Sequence, residues 1–330
     1  MTILVTGGAG YIGSHTVRML REQGRDVVVL DSMEYGNVAA LIDAELHVAD
    51  IRDRAAVTAL CRDRGVQQAV HFAAYKSVGE SMEQPERYWM NNVAGSVDLV
   101  EGLLAAGVRD IVFSSSCSVN GTPPTNPVTE DAPIAPESVY AETKAMVERI
   151  LHWYAQTRGL RAVSLRYFNA AGASADAKIG EDWSRSLNLI PLVMKATLGR
   201  APSVKVFGTD YPTPDGTCIR DYIHVDDLAD AHIKALAHLA DRGEGGYDIA
   251  LNVGTGVGSS VLQVIEATER ISGREVPYEL APRRPGDPVA TFADPTRITA
   301  TLGWTPTRTL DDIIASAWQW HSTHLDGYAS

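Results

Sequence analysis

The sequence predicts an α/β protein: a Rossmann-type doubly wound parallel sheet with a smaller C-terminal α/β domain. Three observations carry this. Short β-branched runs alternate with helical patterns through the first half of the chain. A glycine cluster stands between the first such run and the first helical pattern. Beyond about residue 170 the alternation gives way to stretches rich in Gly, Pro and Asp. Strand and helix in turn imply parallel strands covered by helices on both faces, and right-handed crossovers fix the doubly wound topology.

Ile3-Leu4-Val5 is a short apolar run that reads as a buried strand. Thr6-Gly7-Gly8-Ala9-Gly10-Tyr11-Ile12-Gly13 follows at once, and Ile12, Thr16, Met19 and Leu20 continue at helical spacing up to Gly24. This strand-to-helix context is what a dinucleotide fingerprint requires. Its glycines permit the tight turn and close backbone approach, and the helix N-terminus faces the pyrophosphate. The next strand, 27–30, ends at Asp31, roughly 20 residues past the glycines, where a carboxylate meets the adenosine ribose and repels a 2′-phosphate. NAD is therefore expected ahead of NADP.

Further strands are expected at 46–48, 69–72, 111–113 and 162–165. One helix carries Trp89, Val93, Val97, Val100 and Leu104 and closes at Gly107. Another carries Met146, Val147, Ile150, Leu151 and Tyr154 and ends at Gly159. Pro123, Pro124, Pro127, Pro133 and Pro136 make the connection between 121 and 137 irregular. Helical patterns resume at 225–239, 261–271 and 310–320. The expected division is a nucleotide-binding domain over 1–170 and a substrate domain over 171–330, with some later segments returning to the first. Ligands of such sheets bind beyond the C-terminal strand ends. Gly7, Asp31, Asp50, residues 73–76, 114–116 and 167–169 all follow a predicted strand at that edge.

Tyr140 and Lys144 lie four residues apart and so share a helix face. An ordinary tyrosine titrates near about 10 and is a poor base at neutral pH. A nearby ammonium, together with the positive ring of an oxidised nicotinamide, favours phenolate and makes a base for a sugar or alcohol hydroxyl. The spacing alone is common by chance; the glycine fingerprint upstream gives it weight.

The 330 residues allow roughly two domains. A net charge of −12 argues against nucleic acid as a partner. Cys61, Cys117 and Cys218 show no metal or redox spacing, which suits a reducing cytoplasm. No apolar run approaches the roughly 18 residues of a membrane span, and a first strand near residue 2 leaves no room for a removable leader. A cytoplasmic protein without metal is expected.

With these motifs in hand, the chain resembles the extended short-chain dehydrogenase/reductases, and more narrowly the UDP-galactose/UDP-glucose 4-epimerases among them. Carriers of the likeness are the glycine segment with Ser14 and His15, Asp50-Ile51-Arg52-Asp53, His71-Phe72-Ala73-Ala74-Tyr75-Lys76-Ser77-Val78-Gly79-Glu80-Ser81 and Ser114-Ser115-Ser116. Tyr140 with Lys144, Arg166-Tyr167-Phe168-Asn169, Thr217-Cys218-Ile219-Arg220-Asp221-Tyr222-Ile223-His224 and Ala281-Pro282-Arg283-Arg284-Pro285-Gly286-Asp287 complete the ordered set. The resemblance implies that Tyr140 takes the proton of the sugar 4-hydroxyl, that Ser116 hydrogen-bonds the same oxygen, and that Lys144 holds the cofactor ribose. It implies NAD contacts at Gly7, Gly10, Tyr11, Ile12, Gly13, Asp31, Asp50, Ile51, Phe72, Ala73, Ala74, Lys76, Asn92, Ser114 and Phe168. UDP-sugar contacts are implied at Lys76, Ser116, Tyr140, Asn169, Asn188, Leu189, Lys205, Val206, Phe207, Arg220, Arg284, Asp287 and Thr291. It also implies a homodimer packed through the helices around Trp89–Leu104 and Met146–Tyr154.

Arg220 and Arg284 supply the charge-assisted donors a diphosphate needs; a salt bridge to Asp221 or Asp287 is the alternative use of either. Several positions depart from the family pattern: Asn120 replaces a usual tyrosine, Ala74 a common glycine, and 32–37 lacks the usual basic residue. Thr291 stands where some members carry a bulky aromatic, leaving room for an acetamido group. Dehydratases of the same fold need an acid and a base beside the serine strand, where this chain has Cys117 and Ser118. A 4-epimerase of a UDP-uronate or UDP-pentose stays open, as does, more remotely, a non-catalytic NAD-sensing regulator.

Overall fold

The computed structural model describes residues 1–284 and 286–328, so Pro285 of the double-arginine motif lies outside the described residues. In chain order the strands are β1 (Thr2–Thr6), β2 (Asp26–Asp31), β3 (Glu45–Val48), β4 (Val66–His71), β5 (Asp110–Ser114), β6 (Arg161–Tyr167), β7 (Asn169–Ala171), β8 (Val204–Phe207), β9 (Ile219–His224), β10 (Tyr247–Val253), β11 (Gly258–Ser260), β12 (Tyr278–Ala281) and β13 (Ala290–Thr291). The helices are α1 (Tyr11–Glu22), α2 (Arg54–Asp63), α3 (Val78–Glu83), α4 (Pro85–Tyr88), α5 (Gly95–Ala105), α6 (Val139–Arg158), α7 (Leu189–Thr197), α8 (Val225–Ala240), α9 (Val261–Ser272), α10 (Thr296–Leu302) and α11 (Leu310–Thr323).

Seven strands form one sheet in the order β10-β6-β5-β4-β1-β2-β3, and every pairing in it is parallel. Side chains alternate between the two faces with period two. Ile3, Val5, Val27, Val29, Val70 and Val112 pack on one face with α1 and α8. Leu4, Val28, Leu30, Ala69, Ile111 and Phe113 pack on the other with α2, α5 and α6. Burial on both faces is why these strands read as continuous apolar runs. β10 joins the sheet from far downstream, so the chain returns to this first layer after residue 171. α8 packs against α1 beneath the same face.

The remaining strands make two small sheets, one centred on β9 and one pairing β12 with β8. A separate core of α7, α9 and α11 fills this part. Asp221 ties it together from a fully buried position: its carboxylate accepts from the amides of Thr255, Gly256 and Ala293 and from the Thr255 hydroxyl. Arg220 is the next residue back on the strand that this network fixes.

The helix expected around Trp89 forms, with one irregularity. Residues Trp89–Ala94 wind as a π-helix between α4 and α5. Such bulges admit an extra residue per turn and re-aim side chains near functional sites; here Asn91 comes to line the cleft while Asn92 is buried.

Candidate active site

The cleft opens along the C-terminal strand ends and encloses about 850 Å³. Gly7 sits at φ +69, and a Cβ there would lie 2.6 Å from the Ala73 amide nitrogen. A Cβ on Gly13 would lie 2.3 Å from the Gly7 carbonyl oxygen. Both positions therefore demand glycine. Gly10 stands at the N-cap of α1 and offers no side-chain cap, which leaves the first-turn amides open toward the cleft for an anion. Asp31, at the end of β2, is buried and held by the amides of Ala9 (3.0 Å) and Met33 (2.9 Å). Burial raises its pKa, and those two amides work the other way. Asp50 and Ile51 lie across from it, with Phe72, Ala73, Ala74 and Lys76 along the floor. These features form a cradle for a dinucleotide.

The stretch 32–37 lacks a basic residue of its own, but a cation arrives from another element. The Arg87 guanidinium stacks 4.1 Å from the Tyr75 ring centroid and pairs with Glu34 and Glu80. Nothing in the local sequence around 32–37 could announce this.

At the far end lie Tyr140 and Lys144. Ser138 caps α6, its side chain accepting from the Ala141 amide, so Tyr140 falls in the first turn and Lys144 one turn on. The Tyr140 amide donates to Ser81 Oγ at 3.1 Å, anchoring the turn against α3. Lys144 Nζ donates to the Ser114 carbonyl at 2.7 Å and stands 5.8 Å from the Tyr140 ring centroid. Ser116 Oγ accepts from the Ser118 amide (3.2 Å) and hydroxyl (2.8 Å).

Electrostatics in the protein alone differ from the expectation of a cation-stabilised phenolate. Burial pushes the Tyr140 phenol well above its ordinary value, with Tyr167 adding to the rise and a hydrogen bond from Ser116 opposing it. The same burial pulls Lys144 down to about 7, against the attraction of Glu148. Desolvation outweighs the pairing, so the polypeptide by itself keeps the phenol protonated.

Other expected residues sort into three groups. Gly7, Gly10, Tyr11, Ile12, Gly13, Asp31, Asp50, Ile51, Phe72, Ala73, Ala74, Lys76, Ser114, Tyr140, Lys144, Asn188 and Arg284 line the cleft together. Asn169, Leu189, Lys205, Phe207, Arg220, Asp287 and Thr291 stand outside that lining, on β7, α7, β8, β9, the loop after β12 and β13. The third group has its side chains buried or engaged within the protein. Asn92 accepts from the Tyr75 amide and the Asn91 side chain and donates to the Tyr75 carbonyl and Thr143, bracing the loop after β4. Val206 is fully buried in the small core, leaving only its backbone for a ligand. Phe168 packs with Val128 and Ala293 behind the site.

Of the two arginines, Arg220 takes the ion-pair option. It reaches Asp287 at 3.3 Å and donates to the Ile219 and Pro288 carbonyls. Arg284 instead stacks 3.8 Å from the Phe207 ring centroid and faces the cleft. Sequence reasoning missed Glu181 altogether and placed Tyr167 at the strand edge without giving it a role. The hydroxyl of Tyr167 receives a 3.0 Å hydrogen bond from Ser114, and Glu181 lies in a stretch with no periodic signal.

With this geometry in view, comparison with known proteins is decisive. The profile of the NAD dependent epimerase/dehydratase family matches residues 3–254. The chain belongs to that family. It is 45% identical over 331 residues to the UDP-glucose 4-epimerase of Halalkalibacterium halodurans, covering 100% of this chain and 98% of that one. Among solved structures, the UDP-glucose-4-epimerase of Stenotrophomonas maltophila, with bound NAD and formylated UDP-arabinopyranose, superposes with a TM-score of 0.95. It shows 42% identity, covering 98% of this chain and 99% of that one. The UDP-Glc/GlcNAc 4-epimerase of Campylobacter jejuni gives a TM-score of 0.85 and 38% identity over 98% of this chain and 99% of that one. The cradle described above fits the NAD on which the family depends.

The Lys144 shift carries a stability signature. Between about 7 in the folded protein and about 10.4 in an unfolded chain, the unfolded state holds a proton that the folded state lacks. The buried lysine's penalty is therefore relieved as pH rises through that window. Ligand-free protein is expected to gain stability from pH 7 upward relative to a Lys144→Met variant. Parallel urea-denaturation profiles for the two across that range would contradict the assignment.

Proposed function

We propose that the protein is an NAD-dependent 4-epimerase that interconverts UDP-galactose and UDP-glucose through a 4-keto intermediate. The observation that carries this reading is the meeting of Tyr140, Lys144 and Ser116 at the closed end of a dinucleotide cleft, in a chain of this family. Bound NAD supplies a hydride acceptor and its positive ring. Tyr140 accepts the proton of the sugar 4-hydroxyl and returns it after the sugar has turned over. Ser116 aligns that oxygen, its own lone pairs already engaged by Ser118. Lys144, fixed by the Ser114 carbonyl, supports the phenolate and the cofactor ribose. Arg284 and Lys76 provide cations for the diphosphate, with Arg220 available on exchanging Asp287 for phosphate. Because oxidation and reduction cancel over one turnover, no external NAD is consumed.

Three unpaired cysteines, and the absence among the described residues of a helix long and apolar enough to cross a membrane, suit a cytoplasmic enzyme. Among the described residues no cluster of side chains could hold a metal ion. Apolar Met90, Met146 and Trp153 are exposed along the segment leading into α5 and on α6. Exposed apolar side chains on these two helices support a four-helix homodimer in which a second copy packs there.

Purified protein given UDP-galactose without added NAD is expected to yield UDP-glucose. A Tyr140→Phe variant should lose turnover by about 10²-fold or more while keeping its fold and its NAD; equal activity would overturn the catalytic assignment of Tyr140. Thr291 pairs with Arg220 across β13 and β9, and its hydroxyl is buried without a partner among the described residues. This small side chain leaves volume beside the sugar. Slow turnover of UDP-GlcNAc is expected, and none at saturating substrate would refute it. UDP-glucuronate turned over in place of UDP-galactose would favour the uronate reading. Sedimentation should give the mass of two chains; a single-chain mass at micromolar concentration would rule out the dimer.

A further inference from the structure

A buried carboxylate occupies the cleft where a diphosphate is expected, and charge alone cannot explain why it is there. Glu181, in the loop between β7 and α7, is 4% exposed and lines the cleft. Its Oε1 receives Ser186 Oγ at 2.8 Å, Asn188 Nδ2 at 3.0 Å and Lys76 Nζ at 3.3 Å. Its main-chain oxygen receives the Trp320 indole at 3.1 Å. Among the described residues its Oε2 has no hydrogen-bond partner. Two of the three donors, Lys76 and Asn188, are candidate ligand contacts, one from the loop after β4 and one from the start of α7.

Asn188 holds the N-cap position of α7 with extended backbone, φ −68 and ψ 151. An asparagine there ordinarily turns its side-chain oxygen onto a first-turn amide. It does not do so here: the helix has no side-chain cap, because the Asn188 amide is drawn to Glu181. Ser186 reinforces this, accepting from the Asn188 amide nitrogen at 3.2 Å while donating to Glu181. The amides of Leu189 and Ile190 are left without a capping acceptor, at the positive end of the helix dipole.

We propose that Glu181 is a positioning residue for the UDP-sugar. It holds the Asn188 side chain off the first turn of α7 and draws Lys76 across the cleft, so that helix amides, asparagine and lysine meet the diphosphate together. This rests on the reading of the cleft as a UDP-sugar site. It predicts a sign opposite to simple electrostatics: a bare carboxylate near a dianion repels it, so removing a merely present Glu181 would tighten binding.

The test is calorimetric titration of NAD-loaded protein with UDP, alongside KM and kcat for UDP-galactose. Glu181→Ala is expected to weaken UDP about tenfold and raise KM with kcat within about threefold, the size of effect that loss of a charge-assisted network gives. Glu181→Gln keeps an acceptor for Ser186 and Asn188 and should recover most of that loss. Adding Glu181→Ala to Asn188→Ala should cost clearly less than Glu181→Ala alone does, since the part of its effect that runs through Asn188 is already lost. Tighter or unchanged UDP binding in Glu181→Ala, or additive losses in the double variant, would overturn the proposal. If Glu181→Ala does not fold, Glu181→Asp answers: it keeps the charge and withdraws the acceptor, so weaker UDP binding supports the role and unchanged binding overturns it. Wild-type protein that binds no UDP would instead overturn the UDP-sugar reading itself.

Discussion

Desolvation at the closed end of the cleft governs everything else in this molecule. Tyr140 and Lys144 are both buried, and both are pushed toward their neutral forms. A working base requires the opposite pair, phenolate beside ammonium. The polypeptide provides the alignment and leaves the charge to be supplied from the cleft. Positive charge entering beside the phenol reverses the balance that burial sets, and it does so in a site where low dielectric makes each charge count for more. Under the proposed function, proton transfer by Tyr140 would then depend on a seated dinucleotide.

The fold serves this arrangement by delivering residues from distant points to one edge. Lys144 is fixed by the carbonyl at the end of β5, Tyr140 by Ser81 at α3, and the glycine turn of β1 packs under the loop after β4. One turn beyond Lys144, Glu148 is locked by Arg166 and Ser115, so the helix face that carries the pair is pinned to β6 as well. Rigid elements thus carry the proton-transfer groups.

Packing of these elements also explains what was legible beforehand. The parallel sheet could be read because burial on both faces demands runs such as Val27-Val28-Val29-Leu30, and the glycine turn because two of its positions leave no space for a side chain. Tyr140 and Lys144 could be read from helical spacing. The ionisation of the pair could not, since spacing reports proximity and says nothing of solvent. The π-helix was not legible either: within it Asn92 is buried and Asn91 lines the cleft, and single-residue shifts of phase leave no mark on composition. Glu181 and Arg87 each also take a partner more than fifty residues away in sequence, Lys76 and Glu34, beyond the reach of any local pattern.

The central claim, that the protein aligns a phenol whose charge is set by what fills the cleft, is tested most directly by difference absorbance of tyrosinate during a pH titration. NAD-loaded protein is predicted to show one tyrosinate forming well below pH 10, absent from Tyr140→Phe and absent from NAD-stripped protein over the same range. Loaded and stripped protein titrating alike, with no tyrosinate below pH 10 in either, would contradict the account.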